Sequence, residues 1–199
     1  MSHGDRRLYN NHNSQVNWHY TDQGLDRTAM MIRVNCLSLA LLAHAMLPSM
    51  VTRAAREGQR SAIITLGALN AQIPLPAHSL SSATKHFVRG FTLAVGKTMD
   101  AHVDVMCAHP LAVSSEILRT GSDGVWIISP RRFAAGLLRH LGHSRETFGY
   151  WLHEALHECV LRAPMCVQLW SWELTTHNAS FLKRDLQPRS LLEKMLLQK

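Results

Sequence analysis

A lysine follows a short apolar run and a proline-containing loop within the stretch Ser61–Val88. The apolar run Ala62–Leu66 has charge before it and Gly67 after it, which predicts a buried strand. A helix is predicted to begin at Ser79, a suitable N-cap residue, so Lys85 lies about two turns into that helix. A strand, a loop and a helix with an inward-facing lysine form the kind of crevice in which open α/β sheets bind ligands.

A second pattern with its own chemistry is the segment 153–157, which reads HEALH and has the form HExxH. On a helix, His153 and His157 would share one face and bind zinc, with Glu154 as the general base. Zinc hydrolases of this type have an uncharged residue at the next position, where this chain has Glu158, and no clear third ligand follows. We therefore predict no metal, and keep a zinc hydrolase with His153, Glu154 and His157 as an alternative.

The composition is that of a globular protein in the one-domain size range. The chain has 199 residues, 46% hydrophobic and 18% charged, and a formal net charge of +7. The positive charges are scattered, and the short basic runs are residues 6–7, 131–132 and 183–184. Because a nucleic-acid surface needs clustered positive charge, no specific nucleic-acid partner is predicted, whereas an acidic partner is compatible with the net charge.

No transmembrane segment is predicted, because the longest apolar run, Cys36–Leu47, is shorter than the about 20 residues that a spanning helix needs. The first residues also lack the apolar core of a secretion signal. Pro188 begins a short amphipathic helix near the C-terminus, which leaves peripheral membrane contact open. We accordingly divide the chain into a domain of residues 1–182 and a basic, amphipathic tail of residues 183–199.

Apolar periodicity predicts the other elements of the domain. One long helix is predicted over Leu25–Arg56, since apolar residues recur there at three- and four-residue spacing and Gly58 follows. Alternating valines predict a strand over His102–Cys107. Residues 131–140 are predicted to be helical, because a serine followed by a proline precedes them.

The stretch around Lys85 resembles the active-site segment of the short-chain dehydrogenase/reductases, most closely the 3-ketoacyl-CoA reductase and 17β-hydroxysteroid dehydrogenase branch. In that family a catalytic serine ends the strand, and a catalytic tyrosine follows in a block that reads Tyr-Ser-Ala-Thr-Lys. The block here is SSATK at residues 81–85, so Ser81 occupies the tyrosine position, and Ala68 occupies the serine position. The resemblance identifies Ser81 and Lys85 as catalytic positions from which the family's proton donor is missing.

Further segments carry the same resemblance. Asn35 lies in a block similar to the family's Asn-Val-Leu-Ser, whose asparagine holds a water in the proton relay to the lysine. The segment 149–153, which reads GYWLH, matches the ketoacyl-CoA reductase branch specifically. The resemblance also implies residual contacts to the adenosine and nicotinamide ends of the cofactor, made by Asn10, Asn11, Lys85, Pro110, Val113 and Ser115.

The resemblance implies an α/β fold, namely the C-terminal portion of a Rossmann-type parallel sheet with flanking helices. Family members open with a strand and a glycine-rich turn that holds the cofactor pyrophosphate. The sequence contains no such turn and would start where the family's fourth strand ends, so the first βαβ units are absent from it. We therefore expect no cofactor, or NADP(H) if the chain is active.

These substitutions predict a divergent homologue that is catalytically inactive and serves as an interaction or structural subunit. A sheet without its first strands would expose an edge, so a protein partner or a homodimer is expected to cover it. The alternative is an active NADP(H)-dependent ketoacyl-CoA or 17β-hydroxysteroid oxidoreductase, with this chain as a fragment of a longer one. For the compartment, the resemblance implies the endoplasmic reticulum, and the mitochondrion and the cytoplasm stay open.

Overall fold

The computed structural model describes three stretches of the chain, residues 24–73, 78–114 and 124–164. The chain divides into two compact units, Met1–Cys159 and Val160–Lys199, and nearly all described residues belong to the first. The predicted tail of residues 183–199 lies outside the described residues, so its boundary stays a prediction.

The described residues form five α-helices and three strands. The helices are α1 (Leu25–Ile32), α2 (Ser38–Glu57), α3 (Ser79–Met99), α4 (Pro130–His140) and α5 (Trp151–Arg162), and the strands are β1 (Ser61–Leu66), β2 (Val103–Ala108) and β3 (Glu146–Thr147).

The strands form one parallel sheet in the order β1-β2-β3. All six residues of β1 pair with β2, from Ser61 beside Val103 to Leu66 beside Ala108. The two residues of β3 pair with the last two of β2. Helix α3 connects β1 to β2 and packs on β2, as the crossover between parallel strands requires. The predicted α/β class, with a parallel sheet and flanking helices, is therefore confirmed.

Element boundaries differ from the predicted ones by a residue or so. Strand β1 begins one residue before the predicted run, and β2 begins and ends one residue later than predicted. Helix α3 begins at Ser79, but the N-cap position belongs to His78 rather than to Ser79. Helix α4 has the predicted cap, because Ser129 Oγ accepts a hydrogen bond from the Arg132 backbone N–H at 3.4 Å.

The predicted long helix is present as α1 and α2, joined by a π-helical turn at Arg33–Leu37. It ends at Gly58, whose φ of 67° is a left-handed conformation that glycine adopts readily. By length and composition, the helix Leu25–Glu57 is able to cross a membrane, and little of its most apolar part is buried. The expectation that no segment spans a membrane rests on the apolar run Cys36–Leu47 alone, so it stays a prediction.

The core lies between β2 and α4. Strand β2 is buried along most of its length, and its side chains contact the inner face of α4 and the segments that flank α4. Gly136 of α4 lies so close to the following loop that a Cβ there would stand 1.7 Å from the carbonyl oxygen of Gly149. The buried core cluster consists of Met106, Ala108, Ile128, Phe133, Leu137 and Tyr150.

Strand β1 is an edge strand in the described part of the chain, where its one neighbour is β2. Its buried Thr65 contacts α3, since the hydroxyl oxygens of Thr65 and Thr92 lie 2.8 Å apart. Leu66, at the end of β1, remains 56% exposed. The edge of the sheet therefore carries exposed apolar surface.

Candidate functional site

Polar side chains gather where the three strands end, because the carboxyl ends of parallel strands meet at one edge of the sheet. His109 follows β2, and Glu146 lies in β3. Ala68, which follows β1, contributes only its backbone carbonyl group. Helix α3 reaches the same edge, where Lys85 Nζ donates a hydrogen bond to the carbonyl oxygen of Leu66 at 2.8 Å. The structure thus brings the predicted lysine to a strand-end crevice.

Ser81 faces the turn between β1 and α3. Its hydroxyl oxygen accepts a hydrogen bond from Asn70 Nδ2 at 3.1 Å. Ala68 offers only its backbone, and its carbonyl oxygen lies 3.3 Å from His109 Nδ1. Tyr150, the one tyrosine in the described ranges, packs instead against Arg132 and against a histidine of α5. The described residues therefore supply a short aliphatic hydroxyl, and no phenol, beside Lys85.

Lys85 is held in a partly apolar environment. Burial lowers the pKa of its ammonium group, and the nearby Cys107 offsets only part of this effect. None of the described Asp and Glu side chains forms an ion pair with Lys85. Its one described hydrogen bond goes to the backbone of Leu66, so the ammonium group retains donors for another partner.

Asn35 lies in the π-helical turn between α1 and α2 and reaches the predicted block on α3. Its Nδ2 donates a hydrogen bond to Thr84 Oγ1 at 3.1 Å, and Thr84 Oγ1 in turn donates to the carbonyl oxygen of Ser81 at 3.0 Å. Asn35 and Lys85 also line the same groove beside β1. The predicted asparagine, serine and lysine therefore do share one region of the fold.

A fully buried histidine and two charged residues form the strongest electrostatic contact of the site. His109 Nε2 lies 2.9 Å from Glu146 Oε1. Arg89, on α3, donates to both oxygens of the same carboxylate, from Nε at 2.6 Å and from an Nη at 3.0 Å. Such bidentate, charge-assisted bonds are strong, so this network ties α3 to the ends of β2 and β3.

The network shifts the pKa values of its members. Burial alone would lower the pKa of His109, but hydrogen bonds with Cys107 and Glu146 outweigh it and raise this pKa to about 9. Burial would raise the pKa of Glu146, but bonds with His109 and Arg89 outweigh it and lower this pKa to about 2. Glu146 is therefore ionised and His109 is protonated near neutral pH.

The histidine ring fills the space beside the end of β1. A Cβ on Gly67 would stand 2.6 Å from His109 Nδ1 and 3.1 Å from Cys107 Sγ. A glycine is required at this position because a side chain would collide with the buried ring. The ring and the thiol thus close the sheet end that would otherwise open beside Ala68.

The predicted cofactor contacts are described only in part. Pro110 and Val113 follow β2, and Val113 forms an isolated bridge with Ile128 ahead of α4. Asn10, Asn11 and Ser115 lie outside the described residues. Their assignment as residual cofactor-binding positions therefore stays a prediction, as does the role of Pro110 and Val113.

The two histidines of the HExxH pattern lie on one buried face of α5. His153 Nε2 lies 3.0 Å from the carbonyl oxygen of Trp126, and the His157 ring packs on Phe148 with their centroids 4.2 Å apart. Glu154 is exposed. In the ranges that the structure describes, no three metal-ligating side chains come together. These contacts place both histidines in the core and give the zinc alternative no support.

Sequence reasoning missed the His109, Glu146 and Arg89 network. His109 carries a local signal, since it follows a buried strand directly and precedes Pro110. Its carboxylate partner is 37 residues away, in a strand of two residues that shows no alternation. Only the register of β3 against β2 brings His109 and Glu146 together, and the sequence does not show that register.

Comparison with known proteins agrees with this geometry. The family model for short chain dehydrogenase matches residues 8–125. The chain is 26% identical over 181 residues to inactive hydroxysteroid dehydrogenase-like protein 1 of Homo sapiens, covering 87% of this chain and 50% of that protein. It is 24% identical over 176 residues to the very-long-chain 3-oxooacyl-CoA reductase let-767 of Caenorhabditis elegans, covering 86% and 54%.

The fold is similar to solved structures of the same family. A 7β-hydroxysteroid dehydrogenase matches with a TM-score of 0.64 at 17% identity, covering 77% of this chain and 60% of that one. A short-chain dehydrogenase from Burkholderia cenocepacia in complex with NADP matches with a TM-score of 0.58 at 16% identity, covering 73% and 59%. The chain spans about half the length of the curated relatives it matches. It belongs to the short-chain dehydrogenase/reductase family, in the branch of hydroxysteroid dehydrogenase-like proteins and 3-ketoacyl-CoA reductases.

Proposed function

We propose that this chain is a catalytically inactive member of its family that serves as an interaction or structural subunit. The observation that carries the proposal is the environment of Ser81, whose hydroxyl is bonded to Asn70 where the family has its proton donor. Ala68, at the other catalytic position, has no hydroxyl at all. A curated relative that carries the word inactive in its name supports the same inference.

The chemistry explains why these two positions matter. Reduction of a carbonyl needs an acid that protonates the developing oxyanion, and general acid catalysis contributes about 10²–10⁴ in rate. A neighbouring lysine can lower the pKa of a phenol toward neutrality, but a serine hydroxyl is far less acidic and shorter. Lys85 also bonds to the Leu66 carbonyl oxygen rather than to a side-chain acid. Beside Lys85, the described residues therefore offer no hydroxyl acidic enough to act as this proton donor.

The replaced proton donor argues against a reacting NAD(P)(H). Ser81 and Ala68 stand where the family has its catalytic tyrosine and serine. Structural neighbours are described as complexes with NADH or NADP, which supports a nicotinamide cofactor for those proteins. For this chain we infer that no cofactor takes part in a reaction.

The subunit role is supported by apolar side chains that are exposed in the described part of the chain. Strand β1 has one neighbour in the described part of the chain, and Leu41 and Leu42 of α2 are 59% and 60% exposed. Contiguous apolar surface of this kind is typical of protein or membrane contacts. We infer that a protein partner covers it, with a homodimer as the alternative.

The test is NADPH oxidation by the purified protein with a 3-ketoacyl-CoA or a 17-ketosteroid as the probe. We expect no rate above that of the protein-free control, and no quenching of tryptophan fluorescence at millimolar NADPH. Turnover that Lys85→Ala abolishes would overturn the proposal and establish the alternative, an active NADP(H)-dependent oxidoreductase. Stoichiometric zinc in the purified protein, lost in His157→Ala, would instead favour the zinc hydrolase.

A further inference from the structure

Helix α5 packs on the rest of the protein through two histidines. His153 and His157 lie one turn apart on its buried face and are 0% and 5% exposed. His153 Nε2 lies 3.0 Å from the carbonyl oxygen of Trp126, and the His157 ring packs on Phe148, which is itself buried. The buried side chains of α5 are therefore imidazole rings, which can take up a proton, rather than aliphatic chains, which cannot.

The His157 ring is buried without an anion of its own. Its Nε2 has no hydrogen-bond partner among the described residues, and none of their ion pairs includes the ring. No three metal-ligating side chains come together in the same part of the chain, so these residues offer no metal site that would compete for the ring. A proton on His157 would create a buried charge without a paired carboxylate, which is costly.

The charges around His157 also disfavour a further proton. Burial lowers the pKa of His157, the cations His109 and Arg89 act in the same direction, and the two carboxylates offset only part of this effect. Phe148 lies between two histidine rings, since its ring centroid is 5.4 Å from that of His109 and 4.2 Å from that of His157. The carboxylate of Glu146 is already bonded to His109 and to Arg89. The charged groups that act on His157 are His109 after β2, Glu146 of β3, Arg89 of α3 and Glu158 of α5 itself.

We propose that α5 is an acid-released helix, which packs on the core at neutral pH and leaves it when His157 takes up a proton. The protonated ring then reaches water, where its charge is solvated, and Phe148 loses the ring that covers it. The core between β2 and α4 stays folded, because its buried cluster contains neither a histidine nor a carboxylate. The inference does not rest on the proposed inactivity, since the described contacts of His157 involve neither Ser81 nor Lys85.

His157 sets the pH range of the release. Its pKa in the folded protein is below the ordinary 6.5, so its contribution is complete above pH 6.5 and is lost as the pH falls below that value. His109, with a pKa of about 9, stays protonated throughout this range, and Glu146, with a pKa of about 2, stays ionised. Uptake of one proton raises the opening constant of α5 by up to about tenfold between pH 7.5 and 5.5.

The experiment is hydrogen exchange of the full-length protein at about pH 7.5, 6.5 and 5.5, in the presence of EDTA and with rates corrected for the intrinsic pH dependence of exchange. We expect the protection factors of α5 amides to fall by up to about tenfold, while those of β2 and α4 keep their values. His157→Phe keeps a ring against Phe148 but cannot take up a proton, so its α5 protection should not depend on pH and should exceed that of the wild type at acid pH. His157→Gln, a second variant without a titratable ring, should also lose the pH dependence.

The matched control variant is His143→Gln, which removes an exposed histidine from the loop before β3 and should leave the fall in α5 protection unchanged. Constant α5 protection in the wild type across the three pH values would overturn the proposal. A fall that both His157 variants retain would also overturn it, because another group would then be responsible. An equal fall in β2 and α4 would show unfolding of the whole domain in place of the release of one helix, and would overturn it as well.

Discussion

His109 is a buried histidine whose charged form is favoured by Cys107 and by one carboxylate, that of Glu146. The His109 ring is completely buried, while the Glu146 side chain is 29% exposed and Arg89 bonds to the same carboxylate. A protonated ring in the interior needs a paired anion, since an unpaired buried charge is costly. The network is thus a structural ion pair at the end of the sheet where Lys85 also lies.

Glu146→Gln should destabilise the protein, because it leaves His109 and Arg89 without their carboxylate. We expect the free energy of unfolding to fall by about 1–3 kcal/mol, less than for a fully buried pair because the carboxylate is partly exposed. Urea denaturation of both proteins measures this difference. Asp100→Asn is the control, since its ion pair with Arg145 is exposed and should contribute under about 1 kcal/mol. A loss in Glu146→Gln no larger than in the control would contradict the structural role of the network.

The same pair makes stability depend on pH. The folded-state pKa of His109 is raised from 6.5 to about 9, so its contribution is complete below pH 6.5 and is lost as the pH rises to about 9. The pKa of Glu146 is lowered from 4.5 to about 2, so its contribution is complete above pH 4.5 and is lost as the pH falls to about 2. The difference in unfolding free energy between wild type and Glu146→Gln should therefore be largest between pH 4.5 and 6.5. A difference that grows toward pH 9 would contradict this assignment.

Two glycines in helices should respond oppositely to the same substitution. In α4, Gly136→Ala would place a Cβ 1.7 Å from the Gly149 carbonyl oxygen, so the helix and the loop must move apart. Overpacking of this kind costs about 1–3 kcal/mol or more. In α3, a Cβ on Gly90 meets nothing within 4 Å, and Gly90→Ala should stabilise the protein by about 0.5–1 kcal/mol. Thermal unfolding of the two variants tests the expected loss of stability in Gly136→Ala and the expected gain in Gly90→Ala. A Gly136→Ala protein as stable as the wild type would disprove the close contact.

At the level of elements, the sequence predicts what depends on local signals. The run that becomes β1 and the serine and proline before α4 act within a few residues, so their boundaries were predicted nearly correctly. Strand β3 has two residues, and pairing with β2 rather than its composition creates it. The π-helical turn at Arg33–Leu37 likewise depends on packing against α3, and no local pattern predicts it. Ser81 and Lys85 belong to one local motif, so the sequence alone identifies them. The ion pair of His109 and Glu146 joins residues far apart in the chain, so no local motif predicts it.

For the molecule as a whole, the three-stranded sheet implies a gradient of stability across its strands. Strand β2 is paired on both sides and almost fully buried, whereas β1 has one described neighbour and is less buried. Regions with fewer buried contacts and exposed backbone bonds open at lower free energy than the core. The surface proposed to bind a partner is therefore also the part of the described sheet that opens most easily.

Hydrogen exchange of the free protein should show this gradient, with the amides of β1 exchanging faster than those of β2. Amides of α4, which lies against β2 in the core, serve as the internal reference for slow exchange. If β1 is as well protected as β2, its outer edge is covered in the free protein, and the expected gradient of stability across the strands is absent.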